Sequence, residues 1–268
     1  MCVWERRALL TDLAAILHAG NPVLHRVAVI TAAIVGGLVI AYDSRSWPLK
    51  SAQRIRILLA VSLGSMLGSA LPGFIAGGSV GEQVARLAGL QAELQADAGI
   101  AIGGLLLLGP KTMIGGLLGG FAGASLYKRL ARIPYDTSDA FARGSCCLMV
   151  IGRLGCIAQH CCFGAECPSG WGIEQGDGIP RWPVQIIEAF LQAVILFVIM
   201  IAHHRDWWPG RRLFVVFLSY GLVRFGLEFL REPFGAVYLG LGFYQWLALA
   251  LAVTGMAQIF KRSPQMPA

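Results

Sequence analysis

Apolar residues come in runs of about 20, the length an α-helix needs to cross the hydrocarbon core of a bilayer. Short polar or glycine-rich stretches separate them. The runs predict seven spanning helices, at about 27–42, 57–75, 101–127, 140–160, 185–203, 212–230 and 238–260. The first is short. The third holds Gly109-Pro110 in its first half, where a continuous helix would break. Residues 100–110 therefore read as a re-entrant or interfacial piece feeding a span that starts near Lys111. Ahead of the first run, Leu9, Leu13, Ile16 and Leu17 share one helical face and Arg6 and Arg7 lie near its start. That pattern predicts an amphipathic interfacial segment over 1–24 and lacks the core and small-residue site of a cleaved signal peptide. A seven-span domain over 25–262 and a short tail over 263–268 complete the expected organisation.

Composition agrees with this pattern and excludes a soluble domain. The chain is 56% hydrophobic and 14% charged, with a mean hydropathy of +0.64, as expected for an all-α polytopic membrane protein. Basic residues between the spans set the expected orientation, because Lys and Arg are retained on the cytoplasmic side. Twelve fall on one side (Arg45, Lys50, Arg54, Arg56, Lys128, Arg129, Arg132, Arg205, Arg211, Arg212, Lys261, Arg262). Six fall on the other (Arg6, Arg7, Arg26, Arg86, Arg181, Arg231), which predicts an N-terminus outside and a C-terminus in the cytoplasm. The net charge of +7 then reflects topology and affinity for anionic lipid, and no nucleic-acid partner is expected. The longest stretches between spans, near 76–100 and 161–184, fall on the outer side, so function is expected at the outer leaflet.

Polar residues inside the spans are candidate functional groups, because their burial has to be offset by partners. Tyr220, Arg224, Glu228 and Arg231 fall at i, i+4, i+8 and i+11 and share one stripe of the sixth span, with Glu232 beside them near the outer interface. The stripe reads either as a salt-bridged packing feature or as an inward-facing anion site. Gln185, Glu188 and Gln192 share a face of the fifth span; Glu188 also lies where a carboxylate would favour the helix dipole. In the third span, the pairs Gly115 with Gly119 and Gly116 with Gly120 allow a helix or a lipid chain to approach the backbone. Lys111 sits at the entrance of that helix, and Arg153 ends the apolar part of the fourth. Together Lys111, Arg153, Arg224 and Arg231 predict an outward-facing phosphate site, with Glu188 and Glu228 to orient them.

The order of these segments resembles the prolipoprotein diacylglyceryl transferase family. The likeness covers roughly residues 100–260 and rests on five stretches: Gly115-Gly116-Leu117-Leu118-Gly119; Ser138-Asp139 with Gly152-Arg153-Leu154-Gly155; Pro183-Val184-Gln185-Ile186-Ile187-Glu188-Ala189; Tyr220 through Pro233; and Gln245-Trp246. The span-six motif is the most specific. The resemblance implies a seven-span enzyme of the bacterial inner membrane that uses phosphatidylglycerol as donor. Its arginines hold the lipid phosphate while a thiol attacks the glyceryl carbon and displaces glycerol phosphate. Arg153 and Arg224 match the family's essential arginines and Glu228 an essential glutamate. Replacement of either arginine by alanine is expected to abolish activity with little loss of folding.

The departures are concentrated. Ile114 stands where the family has a histidine before Gly-Gly, Trp182 replaces the histidine before Pro-x-Gln, and Cys156 replaces the asparagine after Gly-Arg-Ile-Gly. Gln159-His160-Cys161-Cys162-Phe163-Gly164 stands in place of Asn-Gly-Glu-Leu-Trp-Gly. Isoleucine cannot exchange a proton, so Lys111 and His160 are candidate replacements. Cys156, Cys161, Cys162 and Cys167 cluster on the expected outer side. They are compatible with a disulfide of Cys161 or Cys162 with Cys167, with Cys162 as a nucleophile, or with a zinc site using His160, whose spacing fits no standard pattern.

Catalytic roles are thus expected for Arg153, Arg224, Glu228, Lys111, His160 and Cys162. Substrate contacts are expected for Gly115, Gly116, Gln185, Glu188, Tyr220, Arg231, Glu232, Cys156 and Cys161. No cofactor and no resident metal is expected; the partners are a phospholipid, the bilayer and a protein or small-molecule thiol. Three functions fit: a transferase with an altered acceptor, an ordinary prolipoprotein diacylglyceryl transferase, or a non-catalytic lipid-binding or lipid-translocating protein.

Overall fold

The computed structural model describes residues 22–76, 111–162, 164–167, 170–174, 178–231 and 237–261. Within them lie seven long helices: α1 Pro22–Asp43, α2 Ser51–Ala76, α3 Met113–Leu130, α4 Asp139–Gln159, α5 Val184–His204, α6 Arg212–Leu227 and α7 Phe243–Phe260. Two hairpins of two-residue strands (β1 Ile173–Glu174 with β2 Pro180–Arg181, and β3 Val237–Tyr238 with β4 Leu241–Gly242) precede α5 and α7. All the helices except α3 are long and apolar enough to cross a membrane. Their outward faces carry exposed apolar stripes, such as Val27, Ile30, Ile34 and Leu38 on α1 and Phe190, Val194 and Phe197 on α5. Surfaces of that extent match lipid and not water.

Several expected boundaries shift. The first helix is not short: it starts at Pro22, a residue suited to the first helical position, so residues 22–24 belong to α1 and not to an interfacial segment. The third helix begins only at Met113, where the Thr112 hydroxyl accepts the Gly115 N–H at 3.2 Å and caps it. Residues 1–21, the stretch 77–110 with its expected re-entrant piece, Glu232 and the tail beyond Lys261 lie outside the described residues.

Helices pack as antiparallel neighbours: α2 with α3, α1 with α4, and α6 with α7, while α4 also touches α5 and α6. The α2/α3 seam is the tightest. A Cβ on Gly119 would stand 2.2 Å from the Gly64 carbonyl oxygen, and one on Gly115 would stand 2.1 Å from that of Gly68. Only glycine permits backbones this close. Phe121 of α3 meets Phe214 and Phe217 of α6 edge-on, at 5.5 and 6.0 Å, and joins that pair to the rest of the core.

At one end of the bundle, Asp139 accepts the backbone N–H groups of Gly210 and Arg212 at 2.7 and 2.9 Å, and Asp43 pairs with Arg143 through two oxygens. These contacts tie down the loops there. The charged residues that remain inside the bundle collect at the opposite end.

Candidate functional site

Five of the seven helices, α1, α3, α4, α6 and α7, line one cavity of about 650 Å³ at that opposite end. The first turn of α1 contributes His25, and the entrance to α3 contributes Lys111, Thr112 and Ile114. Gly152, Arg153 and Cys156 come from the last turns of α4, Cys162 from the turn beyond it and Arg181 from β2. Tyr220, Arg224, Glu228 and Arg231 follow α6 to its end, and Tyr244 of α7 closes the wall. Arg231 is no longer helical: α6 ends at Leu227, a 3-10 turn spans Glu228–Leu230, and Arg231 is extended at φ −117° and ψ 154°.

The cavity is organised around Glu188 of α5, which stands behind its wall and is fully buried. Its Oε1 receives the Arg153 guanidinium at 2.6 Å, the Tyr220 hydroxyl at 3.2 Å and the Gln192 amide at 3.2 Å. Arg224 lies 3.9 Å from Oε2 of Glu188 and 2.7 Å from Glu228. A role for Glu188 as mere helix-terminus stabilisation is thereby excluded: one buried carboxylate holds two arginines from two other helices. Gln185, on the same face, is buried beside it.

Electrostatics follow from the lining. Lys111, Arg153, Arg181, Arg224 and Arg231 contribute five cationic groups, against Glu228 on the wall and Glu188 behind it. Nε of Arg153 and Nη1 of Arg224 are buried donors with no hydrogen-bond acceptor among the described residues. Excess positive charge and unsatisfied donors in a shielded site make a strong anion receptor, since buried polar groups are normally paired.

A second cavity of about 530 Å³, walled by Val61, Leu117, Phe121 and Phe214 among others, shares Val29, Lys111, Thr112 and Met113 with the first. A cationic chamber thus continues into an apolar one between α2, α3 and α6.

Not every expected residue arrives where the pattern placed it. Gly115 packs in the α2/α3 seam and lines neither of these cavities, whereas Gly116 borders the apolar one. Ile114 lines the cationic cavity at the position of the family histidine. His160 is absent from that lining. It is the residue after α4 with φ 50° and ψ 51°, in the left-handed region.

Its backbone N–H reaches Ile157 O at 3.2 Å while that of Cys161 reaches Cys156 O at 3.2 Å, the double closure of a Schellman-type helix end. Glycine, which the resembling family carries here, takes that conformation without cost. His160→Gly is therefore expected to raise the thermal midpoint, by the equivalent of up to about 1 kcal/mol. A fall in the midpoint would show the imidazole to have a stabilising role that outweighs the backbone strain.

The turn carries Cys161 and Cys162 back over Cys156, and all three thiols are free. The disulfide with Cys167, one of the alternatives, is not formed; Cys167 is buried, and its N–H is bound to Pro180 O at 2.8 Å. Hydrogen bonds from Cys156, then Cys161, and the charges of Arg231 and Arg153 hold the Cys162 thiol below the usual thiol range. Its thiolate is thus present above that lowered value and lost as pH falls through it. In the reduced protein, Cys162 is expected to alkylate with iodoacetamide in mildly acidic buffer, where an ordinary thiol is inert. Identical pH profiles for wild type and Cys162→Ser would contradict this.

Sequence reasoning missed His25 and Tyr244. The first is a lone histidine in an apolar helix and the second an aromatic near a helix start, and neither carries a local signal.

Fold and site together define a polytopic helical membrane protein with a buried, arginine-rich cavity that adjoins an apolar one. The profile described as prolipoprotein diacylglyceryl transferase matches residues 27–261, and the chain belongs to that family. Among curated relatives, the phosphatidylglycerol–prolipoprotein diacylglyceryl transferase of Idiomarina loihiensis is 32% identical over 162 residues, covering 57% of this chain and 60% of that protein. The protein of the same name from Cupriavidus necator is 32% identical over 161 residues, covering 56% and 59%. That from Geobacter sulfurreducens is 36% identical over 123 residues, covering 44% and 47%. The matched part spans about three fifths or less of these relatives' lengths.

Proposed function

We propose that this protein transfers a diacylglyceryl group from phosphatidylglycerol to a cysteine thiol of a lipoprotein precursor, at the outer leaflet of a bacterial inner membrane. The observation that carries the reading is the pair Arg153 and Arg224, both held on Glu188, in a cationic cavity that adjoins an apolar one. An amphiphile with one phosphate and two acyl chains has that shape. The names of the relatives supply donor and acceptor, and they lend no support to a different acceptor. Orientation is supported by Lys128, Arg129, Arg205, Arg211, Arg212 and Lys261, which fall at the helix ends remote from the cavity.

In the reaction the acceptor sulfur forms a bond to the terminal glyceryl carbon while the bond from that carbon to the phosphate oxygen breaks. Glycerol phosphate leaves with the electron pair, and Arg153 and Arg224 neutralise the charge that grows on it. The thiol proton needs an acceptor. Ile114 cannot serve, and Lys111 and Cys162 are the cavity groups placed to take it.

The test is incubation of the purified protein with phosphatidylglycerol vesicles and a lipobox peptide, read by mass spectrometry of the peptide. A diacylglyceryl adduct supports the reading. Lipid binding with no adduct would favour a non-catalytic lipid-binding protein, the alternative that isoleucine at 114 favours.

A further inference from the structure

One cluster at the cavity mouth shares only Cys162 with that chemistry. A ring nitrogen of His25 and the sulfurs of Cys156 and Cys161 all lie within 4.8 Å of one another. The Cys162 thiol interacts with both of these sulfurs. The four side chains come from α1, the last turn of α4 and the reversal that follows it.

We propose that His25, Cys156, Cys161 and Cys162 form a metal site for a zinc-class cation. Three thiols and an imidazole are the donor set that borderline-to-soft ions with tetrahedral preference select. Zinc bonds of about 2.3 Å to sulfur and about 2.0 Å to nitrogen place tetrahedral donors roughly 3.5 to 3.8 Å apart. Side-chain rotations that draw the donors in by about 1 Å suffice to close the site.

Two features of the surroundings favour a metal over a disulfide. Nδ1 of His25 is buried and has no hydrogen-bond partner among the described residues, so the imidazole beside the sulfurs carries an atom that needs a partner. A disulfide would use two of the three thiols and leave both the third and the imidazole unexplained. The approach of α1 is itself permitted by Gly155: a Cβ there would stand 2.9 Å from Ala28 Cβ and 3.2 Å from Nδ1 of His25. The charge also balances. Three thiolates around a divalent ion carry one net negative charge, and Arg153 Nη1 lies 4.0 Å from the Cys156 sulfur.

The imidazole that the sequence pattern offered for such a site, His160, is the helix-ending residue instead. The proposal does not rest on the transferase reading, and its test contains no turnover.

The experiment is zinc titration of the full chain, purified in detergent under a phosphine reductant, against a chromophoric chelator. Metal content is measured by mass spectrometry after dialysis, and elution volume serves as the check of folding. Wild type is expected to retain about one zinc per chain, and His160→Gly and Cys147→Ser are expected to retain the same amount. Cys156→Ser and Cys161→Ser are expected to retain none, and His25→Ala to bind at least about 100-fold more weakly. Cobalt substitution gives a second readout, a thiolate-to-cobalt charge-transfer band that falls in Cys156→Ser, Cys161→Ser and Cys162→Ser. Absence of zinc from the reduced wild type would overturn the site. Equal zinc in wild type and Cys156→Ser, which marks an adventitious ion only, would overturn it too. So would recovery of a disulfide among the three cysteines as the sole stable form.

Discussion

Arg153→Ala is expected to abolish lipid-phosphate binding and transfer, and also to lower stability by about 3 to 5 kcal/mol. The second effect departs from what the sequence alone suggests, namely loss of activity with little loss of folding. Its origin is Glu188. That carboxylate is 0% exposed, and Arg153 at 2.6 Å is its close counter-ion; Arg224 stands off at 3.9 Å and is engaged with Glu228. Removing Arg153 leaves a buried negative charge supported by the hydrogen bonds of Tyr220 and Gln192 and by the more distant Arg224.

The two effects separate in the double variant Arg153→Ala with Glu188→Gln, where the orphaned charge is gone. Stability is expected to return for the most part, while lipid binding and transfer stay lost. Arg153→Lys retains the charge but not the planar fork, so it is expected to keep more stability than activity. Thermal unfolding in detergent, paired with the peptide assay, reads both quantities. Wild-type stability and turnover in Arg153→Ala would refute the arrangement described around Glu188.

The other large effect is expected in the α2/α3 seam. Gly119→Val should cost about 3 kcal/mol or more and loosen both cavities, since α3 walls each of them. A Cβ at Gly119 meets Gly64 O at 2.2 Å and Gly68 Cα at 2.8 Å. Both are backbone atoms, which cannot rotate away. To reach ordinary contact near 3.4 Å, the helices must part by about 1 Å along the whole register. Gly116→Ala is the matched control on the same helix, because its Cβ would find its nearest neighbour, Ser69 Cβ, at an ordinary 3.6 Å. Equal thermal midpoints for Gly119→Val and Gly116→Ala would show that the seam is not what holds α3 in place.

The helices were legible because a bilayer imposes length and hydropathy on each span separately, so local patterns suffice. α1 was underestimated at its start, where His25 and Arg26 interrupt the apolar run but not the helix. The stripe of Tyr220, Arg224 and Glu228 was legible for the same reason: helical period puts them on one face, and the cavity lies on that face. Glu188 was legible as a position and not as the hub, since its partners lie 35 and 36 residues away on other helices. His160 was misread because its chemistry is conspicuous in the sequence, whereas the left-handed turn that employs its backbone is not.

Local patterns sufficed for a helical membrane protein of this family, for the arginines and glutamate of its charged cavity, and for the cysteines that set it apart. Each follows from a property that a residue carries with its near neighbours. Only the tertiary structure decided that Glu188 joins Arg153 to Arg224, that Gly115 serves a seam, and that His25 meets Cys156 and Cys161. The physical reason is common to all three: buried charges, close backbones and convergent ligands are relations between helices, and helical period carries no information about which faces meet.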